Sequence, residues 1–262
     1  MTNLFDLTGK FAIVTGGVGG LGSTISLALA ESGADVAVAD VELEPKDEVD
    51  KKHAEDTAKK IRAMGRRRLA IKVDVTDEKS VADMVKKVLE VFPRIDILVN
   101  AHGIAIRKPA DTFPIEEWQK VMDVNTRGTF ITCQAVGRVM IKQRSGKIIN
   151  LSSVRGRYGL PTDYAAYCAS KGAVDSLTRT LACEWAKYNV LVNAVAPTVV
   201  ETKLTRDALA DPEYAQRMKA RIPLGRWAKT EDVAWPVVFL ASKASDFITG
   251  QILYIDGGVT TW

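Results

Sequence analysis

Thr15-Gly16-Gly17-Val18-Gly19-Gly20-Leu21-Gly22 follows the apolar run Lys10–Thr15 and opens a stretch, Leu21–Ser32, with Ala and Leu at helical packing spacing. That order of strand, glycine turn and helix decides how the rest of the chain is read. Glycines in such a turn let the backbone approach a pyrophosphate with no Cβ in the way. The helix that follows offers unpaired N–H groups and its positive dipole end to the anion. Gly17, Gly19 and Gly22 fit G-x-G-x-x-G, while Thr15, Gly16, Gly20 and Gly22 fit T-G-x-x-x-G-x-G. Placed between a buried strand and a helix, either pattern is a dinucleotide-binding signal. No Gly-Lys-[Ser/Thr] ending follows, so a nucleoside-triphosphate loop is not supported.

Outward from this turn the chain alternates short apolar runs with longer amphipathic ones. Strands are expected at Lys10–Thr15, Asp35–Asp40, Leu69–Val73, Ile95–Asn100, Lys147–Leu151, Val190–Ala196 and Gln251–Ile255. Several are apolar almost throughout, as strands covered on both faces must be. Helices are expected at Leu21–Ser32, about Asp50–Met64, Glu78–Val91, Ile115–Ile141, Asp163–Tyr188 and Glu231–Ser242. Regular βα alternation implies a doubly wound, three-layer α/β/α sandwich around a parallel seven-stranded sheet, in one domain spanning residues 1–262. Ligands of such sheets bind beyond the carboxyl ends of the strands. Asp40 ends the second strand eighteen residues past Gly22. A carboxylate there accepts hydrogen bonds from both adenosine ribose hydroxyls and repels a 2′-phosphate, which favours NAD over NADP.

Composition narrows the partners. The 262 residues carry 36 basic and 32 acidic side chains, a net charge of +4 with no long basic block, so nucleic acid is not implied. The run Arg66-Arg67-Arg68 reads as a solvated loop. Val233–Ala241, the longest nearly unbroken apolar stretch, is about half a membrane span and contains Pro236. Cys133, Cys168 and Cys183 form no CxxC and leave an odd thiol, which fits a reducing cytoplasm. The two histidines, His53 and His102, lie far apart, so no histidine-based metal site is expected.

Tyr167 and Lys171 stand at i and i+4 in a helical stretch and so share one face. A phenol with a pKa of about 10 is a poor base at neutral pH. A neighbouring ammonium and the positive nicotinamide of an oxidised cofactor both favour its phenolate. Lowering the pKa by roughly three units takes about 4 kcal/mol of differential interaction. Upstream, Ile149-Asn150-Leu151-Ser152-Ser153 puts hydroxyls at the carboxyl edge of the sheet, where a serine can donate to a carbonyl or carbinol oxygen while Tyr167 moves the proton.

Taken together, the glycine turn, Asp40, Asp74, the NLSS strand end, the YxxxK helix, Val195-Ala196-Pro197, Ile248–Gln251 and Asp256-Gly257-Gly258 resemble the short-chain dehydrogenase/reductase family, from Lys10 to Gly258. The resemblance implies a Rossmann-type fold and an NAD(P)-dependent oxidoreductase acting on CH–OH groups. It makes Tyr167 the acid/base and Lys171 the residue that lowers its pKa and holds the nicotinamide ribose. Ser153 positions the substrate, and Asn125 supports a relay water near the lysine. Gly16, Gly20, Leu21, Gly22, Asp40, Asp74, Val75, Asn100, Pro197, Val200 and Thr202 correspond to cofactor contacts. The resemblance also implies a homotetramer built through the apolar C-terminal segment Trp235–Trp262, with Trp262 able to cap a neighbour's pocket.

The chain departs from the family pattern at several points. Asn100-Ala101-His102-Gly103 puts His102 where a small residue is usual, as a wall of the cofactor channel or a proton carrier. Ser153 precedes Tyr167 by fourteen residues, one more than is commonest, so Ser152 and Ser153 both remain in play. Thr198 replaces a glycine, and Glu42–Glu55 lengthens the second crossover as a solvated excursion. Gly103-Ile104-Ala105-Ile106-Arg107 with Glu116-Glu117-Trp118 is similar to the sugar-acid and polyol branch of the family, gluconate 5-dehydrogenase-like enzymes included. Arg107, Arg155 and Arg157 follow strands at the carboxyl edge, where guanidinium groups can bind an anionic substrate. Ser153, Arg107, Arg155 and Tyr167 are therefore the expected substrate contacts, under a lid at about 198–224. The alternatives are a 3-oxoacyl thioester reductase, which would prefer NADPH, and a non-catalytic NAD-binding sensor.

Overall fold

The computed structural model describes residues 3–44, 48–159, 163–202, 205 and 209–261. Its strands are β1 (Phe11–Thr15), β2 (Asp35–Asp40), β3 (Arg68–Lys72), β4 (Ile97–Asn100), β5 (Gly146–Leu151), β6 (Val190–Pro197) and β7 (Ile252–Ile255). They form one sheet in the order β3-β2-β1-β4-β5-β6-β7, and every pairing is parallel. Chain order reverses between β1 and β4, which opens a crevice at the carboxyl ends of those two strands.

Side-chain alternation along the strands divides the core in two. Val14, Val36, Val38 and Val99 face one layer, built with helices α1 (Gly20–Glu31) and the late helix Thr230–Ala241. Ile13, Ala37, Leu98, Ile148 and Val192 face the other, built with α3 (Glu78–Val91), α5 (Gly128–Gln143) and α6 (Ala165–Trp185). Both faces are thus dry, which is why these strands read as unbroken apolar runs rather than alternating ones. Each fully buried Ile or Leu contributes about 1.5–3 kcal/mol of transfer free energy.

The remaining helices are α2 (Glu48–Ala63), α4 (Ile115–Met122), α7 (Pro212–Ala220) and α8, the late helix already given. Strand ends differ from expectation by one or two residues. β4 starts at Ile97, because the Ile95 amide donates to the Gln143 side chain and the Asp96 carboxylate holds Lys10 and Arg94. The expected single helix Ile115–Ile141 contains one wide π turn, Asp123–Arg127, between α4 and α5. Within the segment expected as a lid, about 198–224, Pro212 in the first turn, Glu213 beside it and Arg217 and Lys219 in the last turn form α7. Met218 and Ile222 anchor that segment by burial. Residues 203, 204 and 206–208 of the lid, residues 45–47 of the second crossover and Trp262 lie outside the described residues. Among the described residues no helix is long and apolar enough to cross a membrane.

The β1–α1 turn depends on its glycines. Gly16 and Gly20 have φ of +64° and +45°, a region costly for other residues. Gly22 has ordinary backbone angles, but a Cβ there would lie 2.0 Å from the carbonyl oxygen of Gly16. Gly19 meets nothing within 4 Å. Gly22→Ala is therefore expected to cost more than about 3 kcal/mol in chemical denaturation, and Gly19→Ala less than about 1 kcal/mol. Equal loss in the two variants would contradict this packing of the turn.

Candidate active site

The carboxyl ends of the strands surround a cleft of about 1130 Å³. Its floor at one end is the β1–α1 turn, where Gly16, Gly20, Leu21 and Gly22 line the wall. Helix α1 starts there with Gly19 at its N-cap, no capping side chain and no acidic residue in its first turn. Elsewhere the chain does cap such an end: Asp77 accepts from the Lys79 amide at 2.9 Å at the start of α3. The open end of α1 suits an anion.

Asp40 ends β2 at the cleft edge and accepts from the Val18 amide at 3.1 Å. Burial raises its pKa, and backbone hydrogen bonds from Val18, Glu42 and Val41 oppose that rise. Asp74 and Val75 line the cleft beyond β3, and Pro197, Val200 and Thr202 line it beyond β6. The residues therefore fit a dinucleotide along the strand ends: a cradle in which a Cβ would clash, an uncapped helix end and a carboxylate at the end of the neighbouring strand.

Tyr167 and Lys171 project from α6 into the cleft beside Ser153. Three consecutive residues at the end of β5 meet three residues spaced one turn apart on α6. Ser153 lies beside Tyr167 in the cleft wall, the Leu151 carbonyl accepts from Lys171 Nζ at 2.6 Å, and the Ser152 hydroxyl donates to the Asp175 carboxylate. Ser152 is thus committed to a structural partner, and Ser153 is the hydroxyl that faces the phenol. The signal that separates them, Asp175 one turn beyond Lys171, is long-range and has no pattern in the local sequence.

The electrostatics differ from the simple expectation. Burial pushes the Tyr167 phenol up to about 12, with the Ser153 hydroxyl and the Arg155 charge opposing the rise. Burial also brings Lys171 down to about 8, opposed by Asp175. Lys171 Nζ lies 5.6 Å from the Tyr167 ring centroid. The ammonium on its own does not bring the phenol toward neutrality, because loss of water outweighs it.

The remaining expected residues fall in different places. Asn125 is buried in the π turn; its Oδ1 accepts from the Ile104 amide at 2.8 Å, and its Nδ2 donates to the Ile104 carbonyl and the Ser170 hydroxyl. The wide turn lets Asn125 brace the loop after β4 beside Lys171. Asn100 does not line the cleft; its amide donates to Asn150 Oδ1 at 2.9 Å, across the strand ends. His102 is buried and its pKa falls to about 3 through burial, so its ring is neutral where it lines the cleft. Its Nδ1 lies 2.6 Å from the Thr15 hydroxyl.

The three arginines separate. Arg107 is exposed, with its guanidinium carbon 5.1 Å from the Tyr164 ring centroid, and it does not line the cleft. Arg157 is exposed and lies over Tyr254 of β7, so the expected convergence of guanidinium groups does not include it. Arg155 is buried and lines a small cavity adjoining Tyr167 and Ser153.

Known proteins match the chain over nearly its whole length. Residues 17–260 match the family described as Enoyl-(Acyl carrier protein) reductase. An NAD-dependent glycerol dehydrogenase from Listeria innocua is 40% identical over 98% of this chain and 96% of its own. A 2-dehydro-3-deoxy-D-gluconate 5-dehydrogenase from Dickeya dadantii is also 40% identical, over 98% of this chain and 97% of its own. Among solved structures, a gluconate 5-dehydrogenase from Burkholderia cenocepacia in complex with NADP and tartrate superposes with a TM-score of 0.91 at 36% identity, over 99% of this chain and 98% of that one. A glycine-lined dinucleotide cleft, a tyrosine and lysine one helical turn apart within it, and these full-length likenesses agree: the chain belongs to the short-chain dehydrogenase/reductase family and is an oxidoreductase acting on CH–OH groups.

Proposed function

We propose that the protein interconverts a secondary alcohol and a ketone on a small polyol, sugar or sugar acid, with NAD as cofactor and with both sites in one domain. The observation that carries this reading is the group formed by half-buried Tyr167 with buried Ser153 and Lys171, facing the dinucleotide cleft. When bound, the nicotinamide supplies the acceptor or donor of hydride. Tyr167 takes the proton of the substrate hydroxyl in oxidation and returns it in reduction. Ser153, beside the phenol in the cleft wall, holds the reacting oxygen. Lys171 keeps its ammonium at the Leu151 carbonyl, where it favours the phenolate and stands ready for ribose hydroxyls. Asn125 fixes the loop that forms the opposite wall.

The substrate class is supported by the named activities of the relatives, on glycerol and on sugar acids. Asp40 supports NAD, since its carboxylate would face a 2′-phosphate with like charge. The relative bound to NADP makes this the sharper of the cofactor questions. Exposed Trp235, Phe247 and Leu253 on the C-terminal elements support a homotetramer, and the three free cysteines support a reducing cytoplasm.

Tyr167→Phe is expected to lower kcat by about 10²–10⁴ while calorimetry still records cofactor binding. Ser153→Ala should lower kcat more than Ser152→Ala does. Near-wild-type turnover by Tyr167→Phe would contradict the acid/base assignment. Cofactor choice gives a separate check: kcat/KM with NAD should exceed that with NADP by roughly tenfold or more, and Asp40→Ala should narrow the ratio. An NADP preference in the wild type would overturn the reading of Asp40.

A further inference from the structure

The short turn Val154–Gly156 after β5 holds its backbone firmly. Ser153 Oγ accepts from the Arg155 amide at 3.2 Å, and a Cβ on Gly156 would lie 2.7 Å from the Asp175 carboxylate. From this pinned backbone the Arg155 side chain runs inward and is only 9% exposed. Its guanidinium carbon sits 5.8 Å from the Tyr158 ring centroid and 5.7 Å from that of Tyr164. The two rings offer their faces to the cation but no hydrogen bond in its plane. Nη1 is buried without a hydrogen-bond partner, and among the described residues no carboxylate lies within ion-pair distance of Arg155. A buried guanidinium nitrogen left without a partner is costly, and such groups persist where a ligand completes them.

Arg155 lines a cavity of about 80 Å³, several times the roughly 10–15 Å³ that one water requires. That volume suits a carboxylate. Arg155 is the one charged side chain among the described residues lining it, and the cavity shares Ser153, Tyr167, Thr198 and Thr205 with the main cleft. Lys171, the other buried cation among the described residues, is already committed to the Leu151 carbonyl. From this geometry we propose that Arg155 receives the carboxylate of the substrate, so that the enzyme prefers a sugar acid to the corresponding neutral polyol. The contact also has an electrostatic use. A carboxylate held near Tyr167 without a cation would disfavour the phenolate, and the guanidinium cancels that repulsion.

The inference rests on the proposed alcohol oxidation, and D-gluconate and D-glucitol test it as a matched pair that differs only by carboxylate against hydroxymethyl. With NAD, the wild type should show the higher kcat/KM on D-gluconate. Arg155→Met should lower the gluconate-to-glucitol ratio of kcat/KM by about 10- to 100-fold, chiefly through KM, and Arg155→Lys should recover part of it. A ratio left unchanged by Arg155→Met, or a wild type that prefers D-glucitol while turning over polyols, overturns the inference and leaves the proposed function standing. Failure of the wild type to oxidise either compound counts instead against the proposed function. Calorimetric titration of the NADH complex with D-gluconate is a readout independent of turnover. Binding by the wild type that weakens at least tenfold in Arg155→Met supports the contact, and no binding by the wild type rejects it.

Discussion

The Lys171 ammonium donates to the Leu151 carbonyl at 2.6 Å, joining the middle of α6 to the last residue of β5. Around this bond Ser153 meets Tyr167 one turn earlier on the helix, and Ser152 meets Asp175 one turn later. The short turn Val154–Gly156 follows directly on Ser153. The same contacts that fasten the helix to the sheet therefore aim the phenol, choose the serine and fix the backbone from which Arg155 departs.

The fastening holds ionisable groups away from water. Burial keeps the phenol protonated and loosens the proton on the lysine, and each effect opposes the charged state that alcohol oxidation uses. A folded chain tolerates such groups where hydrogen bonds offset part of the cost, as the Leu151 carbonyl does for Lys171. In a dry site, charge brought by a ligand acts with little screening. A positive nicotinamide therefore has more leverage on the phenol here than it would have near bulk water.

Much of this was legible in the sequence. The sheet was, because strands buried on both faces carry their apolar character in every residue: β2 matches expectation at both ends, and α3 does as well. The glycine turn was legible because only glycine satisfies its backbone angles and close approaches. Tyr167 and Lys171 were legible because i and i+4 on a helix is a local relation. What escaped was set by distant partners. Asp175 decides between Ser152 and Ser153, and Tyr254, on the last strand, draws Arg157 away. The π turn at Asn125 is one residue's difference in helical winding, invisible to apolar periodicity. Helix α7 is polar overall, so no apolar periodicity marked it, although Pro212 and the ordering of acid before base were signals of a helix.

The central claim is that one half-buried phenol becomes ionisable because a positive cofactor lies beside it. Titration of Tyr167 by carbon NMR, in protein carrying ring-labelled tyrosine, tests this directly, with Tyr167→Phe identifying its signal among the six tyrosines. In the free protein the Tyr167 midpoint should lie near the top of the accessible range, at about 12. With saturating NAD it should fall by roughly two units or more. A midpoint that stays in place, or rises, when NAD binds would contradict the account.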